Sequence, residues 1–224
     1  MAVKLSRKSA AKPPKAPAKR VYRSEGRAAA AEQTSERIVA AARTLLIGGP
    51  DLPAFSLDGV AKLAGVTRLT VYNRFASKQG LLEAVFDDVA QRGGLFAGLP
   101  AVFDEPDPRI SVRRAVAVFC RFWAQHGTLL PRFGAVAKLD DEIAASLRQR
   151  TERRRHTMGA LAARLLPADD ARYGDLVDLL FALTAFEMYD ALAVHGRTPQ
   201  AIEALIATLV EQAVDGYIPR ADAR

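Results

Sequence analysis

The chain has 224 residues, half of them hydrophobic, and a formal net charge of +7. Its single cysteine, Cys120, excludes an intramolecular disulfide and a cysteine-based metal cage, and it fits a reducing, cytoplasmic setting. No stretch approaches the roughly 20 apolar residues of a membrane span, and the basic N-terminus lacks the apolar stretch of a secretory signal. We therefore expect one or two globular domains and no membrane partner.

The basic character is concentrated at the N-terminus. Residues 1–31 are rich in Lys, Pro and Ala, and they contain nine basic side chains against one acidic side chain, Glu25. The rest of the chain is nearly neutral, so the charge belongs to a tail that we expect to be disordered. Such a tail either attracts polyanions such as DNA or is a solvated leader without a partner. Residues 219–224 are also expected to be disordered.

Apolar residues recur at helical spacing through the rest of the chain, and no alternating strand pattern of useful length occurs. Thr34 or Ser35 is expected to cap the first helix, and Gly93 to Pro108 is interpreted as a connection because it contains glycine and proline. The predicted helices begin near residues 34, 56, 67, 77, 107, 128, 140, 171 and 198. The fold class is therefore predicted to be all-α, with about nine helices.

Two short helices joined by a tight turn are predicted after the first helix. Ser56 caps the first of them, and its apolar face consists of Leu57, Val60, Ala61 and Ala64. Gly65 tolerates the positive φ of a tight turn, and Thr67 caps the second helix, whose inward residues are Val71 and Phe75. This arrangement is typical of a helix-turn-helix.

The second of these helices presents a face to solvent. At about 100° per residue, Leu69 and Asn73 lie opposite Val71. A leucine there can meet a thymine methyl group, and an asparagine can pair with adenine in the major groove. The possible phosphate donors around them are Arg68, Thr70, Tyr72, Arg74 and Lys78. The alternative is a surface helical hairpin that binds nothing.

Three consecutive segments carry a family resemblance. They are Ala64-Gly65-Val66-Thr67, Val71-Tyr72-Asn73-Arg74-Phe75 and Ser77-Lys78-Gln79-Gly80-Leu81-Leu82. Residues 34–87, which contain these segments, resemble the DNA-binding domain of the tetracycline-repressor (TetR) family of transcriptional regulators. The family often has Gly or Pro at the position of Leu69, so the resemblance implies no base preference.

The resemblance implies a role for each residue of this surface. Tyr72 and Lys78 match positions that touch the phosphate backbone, and Ser56 and Thr67 look like further phosphate contacts at helix starts. The positions that match base contacts are Arg68, Leu69, Thr70 and Asn73. Arg74 is left open between a phosphate contact and solvent. The implied partner is double-stranded DNA, and no cofactor is expected.

The resemblance also divides the chain into a DNA-binding domain at residues 32–78 and a helical dimerisation and effector-binding domain at residues 79–218. In the family, the last two long helices form a four-helix interface with a second subunit. Here the matching residues 171–216 carry more apolar surface than one thin domain needs to bury. These side chains are Leu179, Leu183, Phe186, Leu205, Leu209 and Ala213. A homodimer is expected, and the alternative is that they are plain core.

The C-terminal part also holds a mixed aromatic and polar set that suits a mostly apolar effector cavity. Its members are Phe119, Phe122, Trp123, His126, Met158, Phe181 and Glu187. The alternative is an ordinary core of aromatic and methionine side chains. Glu187 lies in an apolar run, where a carboxylate needs a partner. It therefore either meets an Arg or Tyr at the dimer interface or orients a ligand.

No catalytic or metal site is predicted. His126, His156 and His195 lack the spacing of metal ligands, and neither a phosphate loop nor a nucleophile elbow occurs. The charged segment RQRTERRRH, residues 148–156, is either a solvated helix face or a second polyanion site.

Together these features predict a dimeric, non-enzymatic transcriptional regulator. By family default it is a repressor that a small-molecule effector releases from its DNA operator. One alternative is a helical ligand-binding or enzymatic protein without a specific DNA target. The other is a non-specific DNA binder driven by the basic tail.

Overall fold

The computed structural model describes residues 18–48 and 55–218, with side chains from residue 26 onward. These residues form helices and connections without a strand, so the all-α prediction is confirmed. Within these ranges there are eleven helices rather than about nine: α1 (Ala18–Gly48), α2 (Leu57–Ala64), α3 (Arg68–Phe75), α4 (Lys78–Arg92), α5 (Leu95–Phe103), α6 (Pro108–His126), α7 (Leu130–Ala137), α8 (Asp141–Ala162), α9 (Tyr173–Leu183), α10 (Phe186–Ala193) and α11 (Pro199–Tyr217). None of these described helices combines the length and the apolar character that crossing a membrane requires.

The chain divides into two compact units, residues 1–37 and 38–224. Of the first unit, the structure describes the N-terminal part of α1. Thr34 and Ser35 lie inside this helix, where their hydroxyls donate to backbone carbonyls one turn earlier at 2.8 and 3.2 Å. The prediction that one of them caps the first helix is therefore wrong.

The N-terminal tail is described in part. Residues 18–31 belong to α1, so the prediction that they are disordered is wrong. The alanine-rich end of this segment has a high helix propensity, which favours a helix despite the basic, proline-containing composition of the tail as a whole. Residues 1–17 and 219–224 lie outside the described residues, and the disorder expected of them stays a prediction.

One of the two additional helices, α5, replaces the connection predicted before α6. Gly94 precedes it with a positive φ of 75°, and Pro100 lies inside it. Gly98 allows α5 to lie close to α6, because a Cβ atom at this position would lie 2.9 Å from the Val118 side chain. The glycine and proline residues that indicated a loop therefore belong to a packed helix, and that prediction is wrong.

The other additional helix arises because the segment predicted as one helix over residues 171–195 is divided at Thr184. The indole N–H of Trp123 donates to the Thr184 carbonyl at 3.0 Å, and the Arg154 guanidinium donates to the Phe181 carbonyl at 2.6 Å. These side chains bind carbonyls that a continuing helix would use for its own hydrogen bonds. The break between α9 and α10 therefore depends on residues distant in the sequence.

From Ile38 onward the helices share one apolar core. α6 packs against α5 and α11, α8 packs against α7 and α9, and α11 also packs against α9. The fully buried Val60, Val71 and Leu81 place α2, α3 and α4 on the same core. Since buried residues are continuous across residue 78, the boundary expected there between two domains stays a prediction.

Candidate nucleic-acid interface and ligand cavity

Three consecutive helices begin at a hydroxyl cap. Ser56, Thr67 and Ser77 each accept a hydrogen bond from the backbone N–H three residues later, at 3.1, 3.1 and 3.0 Å. Gly65 ends α2 with a φ of +66°, which confirms the tight turn predicted at this residue. α2 and α3 therefore form the predicted helix-turn-helix.

The outer face of α3 is exposed as its helical geometry predicts. Val71 is fully buried and Phe75 is half-buried, whereas Leu69 is 66% exposed and Tyr72 is 56% exposed. Asn73 is exposed on the same helix. Two large side chains with apolar bodies thus stand in solvent on a helix of eight residues, a patch suited to contact with a partner.

The polar side chains around this face are held by weak contacts. Arg68 Nη1 lies 3.3 Å from the Asp58 carboxylate, and both side chains are about two-thirds exposed. Such a screened pair contributes about 0–1 kcal/mol. The hydroxyls of Thr67 and Thr70 lie 2.9 Å apart, and Arg74 is exposed. A phosphate or a base edge can therefore replace these contacts at small cost.

All nine side chains predicted to contact DNA lie on one stretch, from the cap of α2 to the first residue of α4. Ser56, Thr70 and Lys78 are half-buried, and the other six are exposed. Lys78 Nζ lies 5.7 Å from the centroid of the Phe55 ring. Exposed donors and helix N-termini together form a surface suited to anionic phosphates. The contact made by each residue stays a prediction.

The junction between α3 and α4 contains two backbone features that sequence reasoning missed. Ala76 has a φ of +60°, and the Ser77 N–H donates to the Phe75 carbonyl at 2.7 Å. A Cβ atom on Gly80 would lie 2.2 Å from that same carbonyl oxygen. The absence of a side chain at Gly80 therefore lets α4 begin directly against the C-terminal end of α3. The only indication in the sequence was a glycine three residues after a cap.

Two neighbouring carboxylates of α4 bind different helices. Asp88 accepts from Arg43 of α1 at 2.9 Å and from Arg92 at 2.7 Å. Asp87 accepts at 2.8 Å from Arg150 of α8, which also donates to a backbone carbonyl of α4 at 3.3 Å. α4 is therefore tied to α1 by one residue and to α8 by the next.

A cavity of about 650 Å³ lies among helices α4 to α10. Its volume is in the range of pockets that hold small molecules. Five of the seven predicted lining residues do line it: Phe119, Phe122, Trp123, Phe181 and Glu187. Met158 instead belongs to the core, with its sulfur 3.6 Å from the Thr184 hydroxyl, and His126 lies at the end of α6 outside the lining. The prediction is wrong for these two residues, and an effector in the cavity stays a prediction.

Three arginines of the charged segment 148–156, which was predicted to be either a solvated helix face or a second polyanion site, line the same cavity. Arg150, Arg153 and Arg154 all belong to the lining, and Arg150 and Arg154 are half-buried. Their guanidinium carbons lie 4.2 Å from the Phe86 ring centroid and 3.8 Å from the Phe181 ring centroid, respectively. Arg153 and Arg154 lie three and four residues after Arg150, so the sequence places all three on one helix face and could have indicated that they line the same cavity.

Glu187 lies in the first turn of α10 and is exposed on the rim of the cavity. In a single chain its carboxylate is therefore solvated. The apolar residues around it in the sequence suggested that it needs a partner, but a solvated carboxylate does not need one. Burial lowers the pKa of Arg154 to about 10, and the negative charge of Glu187 opposes that shift. Glu187 thus acts on the charge balance of the cavity from its rim.

His126 has a buried Nε2 that makes no hydrogen bond to any residue in the described part of the chain. Burial lowers the pKa of His126 from its ordinary 6.5, the positive charge of Arg43 lowers it further, and Asp88 opposes both effects. The neutral imidazole is therefore the favoured form in the folded protein.

We expect the folded protein to lose stability as the pH falls below 6.5, because the unfolded His126 then takes up a proton that the folded one resists. Well above 6.5 the side chain is neutral in both states and contributes no pH dependence. Urea unfolding of His126→Leu at pH 7.5 and pH 5.5 should show a smaller loss of unfolding free energy than the wild type shows. The exposed His195→Leu variant is the control, and an unchanged pH dependence in His126→Leu would contradict the prediction.

The described residues contain neither a metal-binding cluster nor a reactive cysteine. No group of three or more His, Cys, Asp or Glu side chains there is placed to hold a metal ion. Cys120 is buried, and its burial, followed by the charge of Glu203, raises the pKa of its thiol to about 12. The thiol is therefore protonated at neutral pH, which makes it a poor nucleophile.

α9 and α11 present apolar side chains that the single chain leaves partly exposed. On α11, Ile202, Ile206 and Val210 are buried, whereas Leu205 and Leu209 are half-exposed. The other partly exposed residues of the expected dimer surface are Leu179, Leu183, Phe186 and Ala213. This is the apolar surface that a second subunit would cover, and the dimer stays a prediction.

Comparison with known proteins agrees with this architecture. Residues 38–85 match the family model "Bacterial regulatory proteins, tetR family". The fold is similar to that of a putative TetR-family transcriptional regulator from Mesorhizobium loti, with a TM-score of 0.60 and 18% identity over 83% of this chain and 97% of that one.

Two further solved structures have the same fold. A TetR/AcrR-family regulator from Thermobifida fusca is 19% identical, with a TM-score of 0.57 over 82% of this chain and 97% of that one. A transcriptional regulator from a Rhodococcus species is also 19% identical, with a TM-score of 0.58 over 81% of this chain and 96% of that one. At these identities the likenesses establish the fold. No curated protein matches the chain.

Proposed function

We propose that the chain is a transcriptional regulator of the TetR family, a homodimeric repressor that a small-molecule effector releases from its DNA operator. The operator is double-stranded DNA read in the major groove, and the protein acts where that DNA is, in the cytoplasm. The observation that carries the proposal is the exposed face of α3, the second helix of a tight helix-turn-helix.

The chemistry of this face supports reading of base edges. Leu69 offers an apolar contact for a thymine methyl group, and Asn73 offers an amide for adenine. Arg68 becomes available to a base or a phosphate once its exposed pair with Asp58 opens. Tyr72 and Lys78, at the edges of this face, are suited to the phosphate backbone. Affinity would then come mostly from the phosphate contacts and specificity from the groove.

A dimer suits this mode of binding. Two copies of α3 reach successive major grooves when their centres lie about 34–36 Å apart, one turn of DNA. The partly exposed apolar stripes of α9 and α11 supply a surface for the two-fold interface. The protein acts by binding DNA in this proposal, and the buried, protonated Cys120 has no part in it.

The cavity has a direct connection to α4. Arg150 lies on the cavity lining and also pairs with Asp87 of α4. The first residues of α4 contact the end of α3 through Gly80. A ligand that displaces Arg150 or moves α8 would therefore change the position of α4 and of the reading head. Such a change in the spacing of the two heads would lower operator affinity.

Selection of bound sequences from a random DNA pool, followed by gel shifts, tests the proposal. Against the selected operator, Asn73→Ala should lose about 1–3 kcal/mol at one base position and little at the others. The control is Gln149→Ala, which removes an exposed amide on α8. Uniform weakening across all sequences would make Asn73 a backbone contact instead.

Removal of residues 1–17 separates the proposal from a non-specific binder driven by the basic tail. The shortened protein should keep its preference for the selected operator and lose affinity for all DNA to a similar degree. A preference that vanishes with the tail would overturn reading by α3. A protein that selects no sequence at all, with or without the tail, would favour a ligand-binding protein without a DNA target.

A further inference from the structure

The cavity lining is apolar on most sides and positively charged along α8. Aromatic side chains such as Phe119, Phe122 and Trp123 supply the apolar part. The charged part comes from Arg150, Arg153 and Arg154, whereas the lining includes one carboxylate, that of Glu187. Because Arg150 is already paired with a carboxylate of α4, the remaining charge on the lining is still positive.

Arg154 forms no ion pair with any residue in the described part of the chain. Its Nη1 donates to the Phe181 carbonyl at 2.6 Å and to the Thr184 hydroxyl at 3.2 Å. Its guanidinium also stacks on the Phe181 ring. These neutral acceptors use one of its nitrogens, so a planar fork of further N–H donors is left on the cavity lining.

The arginines next to it on the helix are satisfied differently. Arg150 pairs with Asp87, and Arg155 pairs with Asp178. A half-buried guanidinium without a carboxylate is costly, and burial lowers the pKa of Arg154 to about 10. Arg153, also on the lining, is exposed and makes no ion pair within the described residues. Two cationic groups at the same cavity thus form no ion pair within the described residues.

We propose that this cavity binds an amphipathic organic anion, a carboxylic acid with an apolar body, whose carboxylate pairs with Arg154 and Arg153. This rests on the proposed function, because it names the chemical class of the effector. The aromatic lining takes the acyl or aryl body, and the guanidinium fork of Arg154 takes the two carboxylate oxygens.

The same residue connects the ligand to the break between α9 and α10. Arg154 holds the Phe181 carbonyl and the Thr184 hydroxyl at the end of α9, so a carboxylate that draws the guanidinium into the cavity weakens these bonds. α9 belongs to the surface expected to bind the second subunit. Occupancy of the cavity therefore acts on the dimer surface as well as on α4.

The test uses the full chain and three probes of one length: decanoate, decanol and decylammonium. Trp123 is the only tryptophan of the chain and lines the cavity, so its fluorescence reports binding directly. Decanoate should bind with a dissociation constant at least about tenfold below that of decanol, and decylammonium should bind most weakly. A second comparison, of 4-phenylbutanoate with 4-phenylbutanol, extends the test to an aryl body.

Variants assign the effect to the arginines. Arg154→Met should raise the dissociation constant of decanoate about tenfold or more, to the level of decanol, while decanol binding stays unchanged. Unchanged decanol binding also shows that the variant keeps its cavity. Arg153→Gln, at an exposed position, should give a smaller change in the same direction. The control is Arg148→Gln, which removes an equal charge from an exposed position of α8 away from the lining.

Three results would overturn the inference: equal binding of decanol and decanoate, tightest binding of decylammonium, or no binding of any probe. Persistence of decanoate affinity in a folded Arg154→Met would overturn it too. Operator gel shifts on the same protein distinguish failure of the anion site from failure of the proposed function. Operator binding without probe binding would contradict the anion site alone, and probe binding without operator binding would contradict the repressor alone.

Discussion

The double substitution Leu205→Glu with Leu209→Glu is expected to produce monomers and to lower operator affinity by about 100-fold or more. Both leucines are half-exposed on α11, beside the buried Ile206, and a two-fold interface would bring four new carboxylates together without partners. A monomer loses the second head and with it the gain of linked binding, about 10²–10⁴-fold. Light scattering gives the oligomeric state, and gel shifts give the affinity.

The matched control places two glutamates at the same spacing on α8, as Ala145→Glu with Gln149→Glu. Both positions are exposed and lie outside the expected interface. This variant should remain dimeric and bind the operator nearly as the wild type does. Circular dichroism confirms that both proteins stay helical. If the α11 variant remained a dimer while folded, the interface would lie elsewhere on the molecule.

Gly80→Ala is expected to destabilise the protein by about 2–4 kcal/mol and to weaken operator binding. The added Cβ would lie 2.2 Å from the Phe75 carbonyl oxygen, which is backbone that also accepts from the Ser77 N–H. Relief of this contact requires the end of α3 to move away from α4. The sign of the change in unfolding free energy is informative, because replacing glycine by alanine inside a helix otherwise stabilises the protein by about 1 kcal/mol. Urea unfolding measures the change.

Two further substitutions serve as comparisons for Gly80→Ala. Gly216→Ala in α11 adds a Cβ to open space and should leave stability unchanged or slightly higher. Ala76→Gly relieves a φ of +60° and should stabilise the junction by about 0.5–1 kcal/mol. A Gly80→Ala protein as stable as Gly216→Ala would show that α4 does not need this close approach.

The helix-turn-helix could be predicted from the sequence because its determinants are local. Ser56 and Thr67 bond to amides three residues away, and Gly65 provides the turn by its own backbone freedom. The outward position of Leu69 follows from the inward position of Val71 on the same helix. Each of these relations spans a few residues, so pattern reasoning is sufficient.

The parts that sequence reasoning missed depend on contacts between distant residues. The end of α9 is set by Trp123, which lies 61 residues before the carbonyl it binds. α5 forms where Gly98 meets Val118, although glycine by itself favours a loop. Arg154 looks like one charge in a polar run until α9 is seen to lie beside it. Helix propensity and periodicity contain no information on such pairings.

The adjacent carboxylates of α4 have a consequence for engineering this molecule. Asp88 holds α1 through Arg43, and Asp87 holds α8 through Arg150, so a transplanted reading head is attached by both. A chimera that joins residues 38–75 to a foreign sensor keeps Arg43 but lacks Asp87, Asp88 and Arg150. It would keep its sequence preference but lose the response to ligand, unless the foreign sensor supplies a carboxylate for Arg43 and an equivalent of the pair between α4 and α8. Because one rigid helix carries both pairs, substituting Asp87 and Asp88 together should cost less than the sum of the single effects.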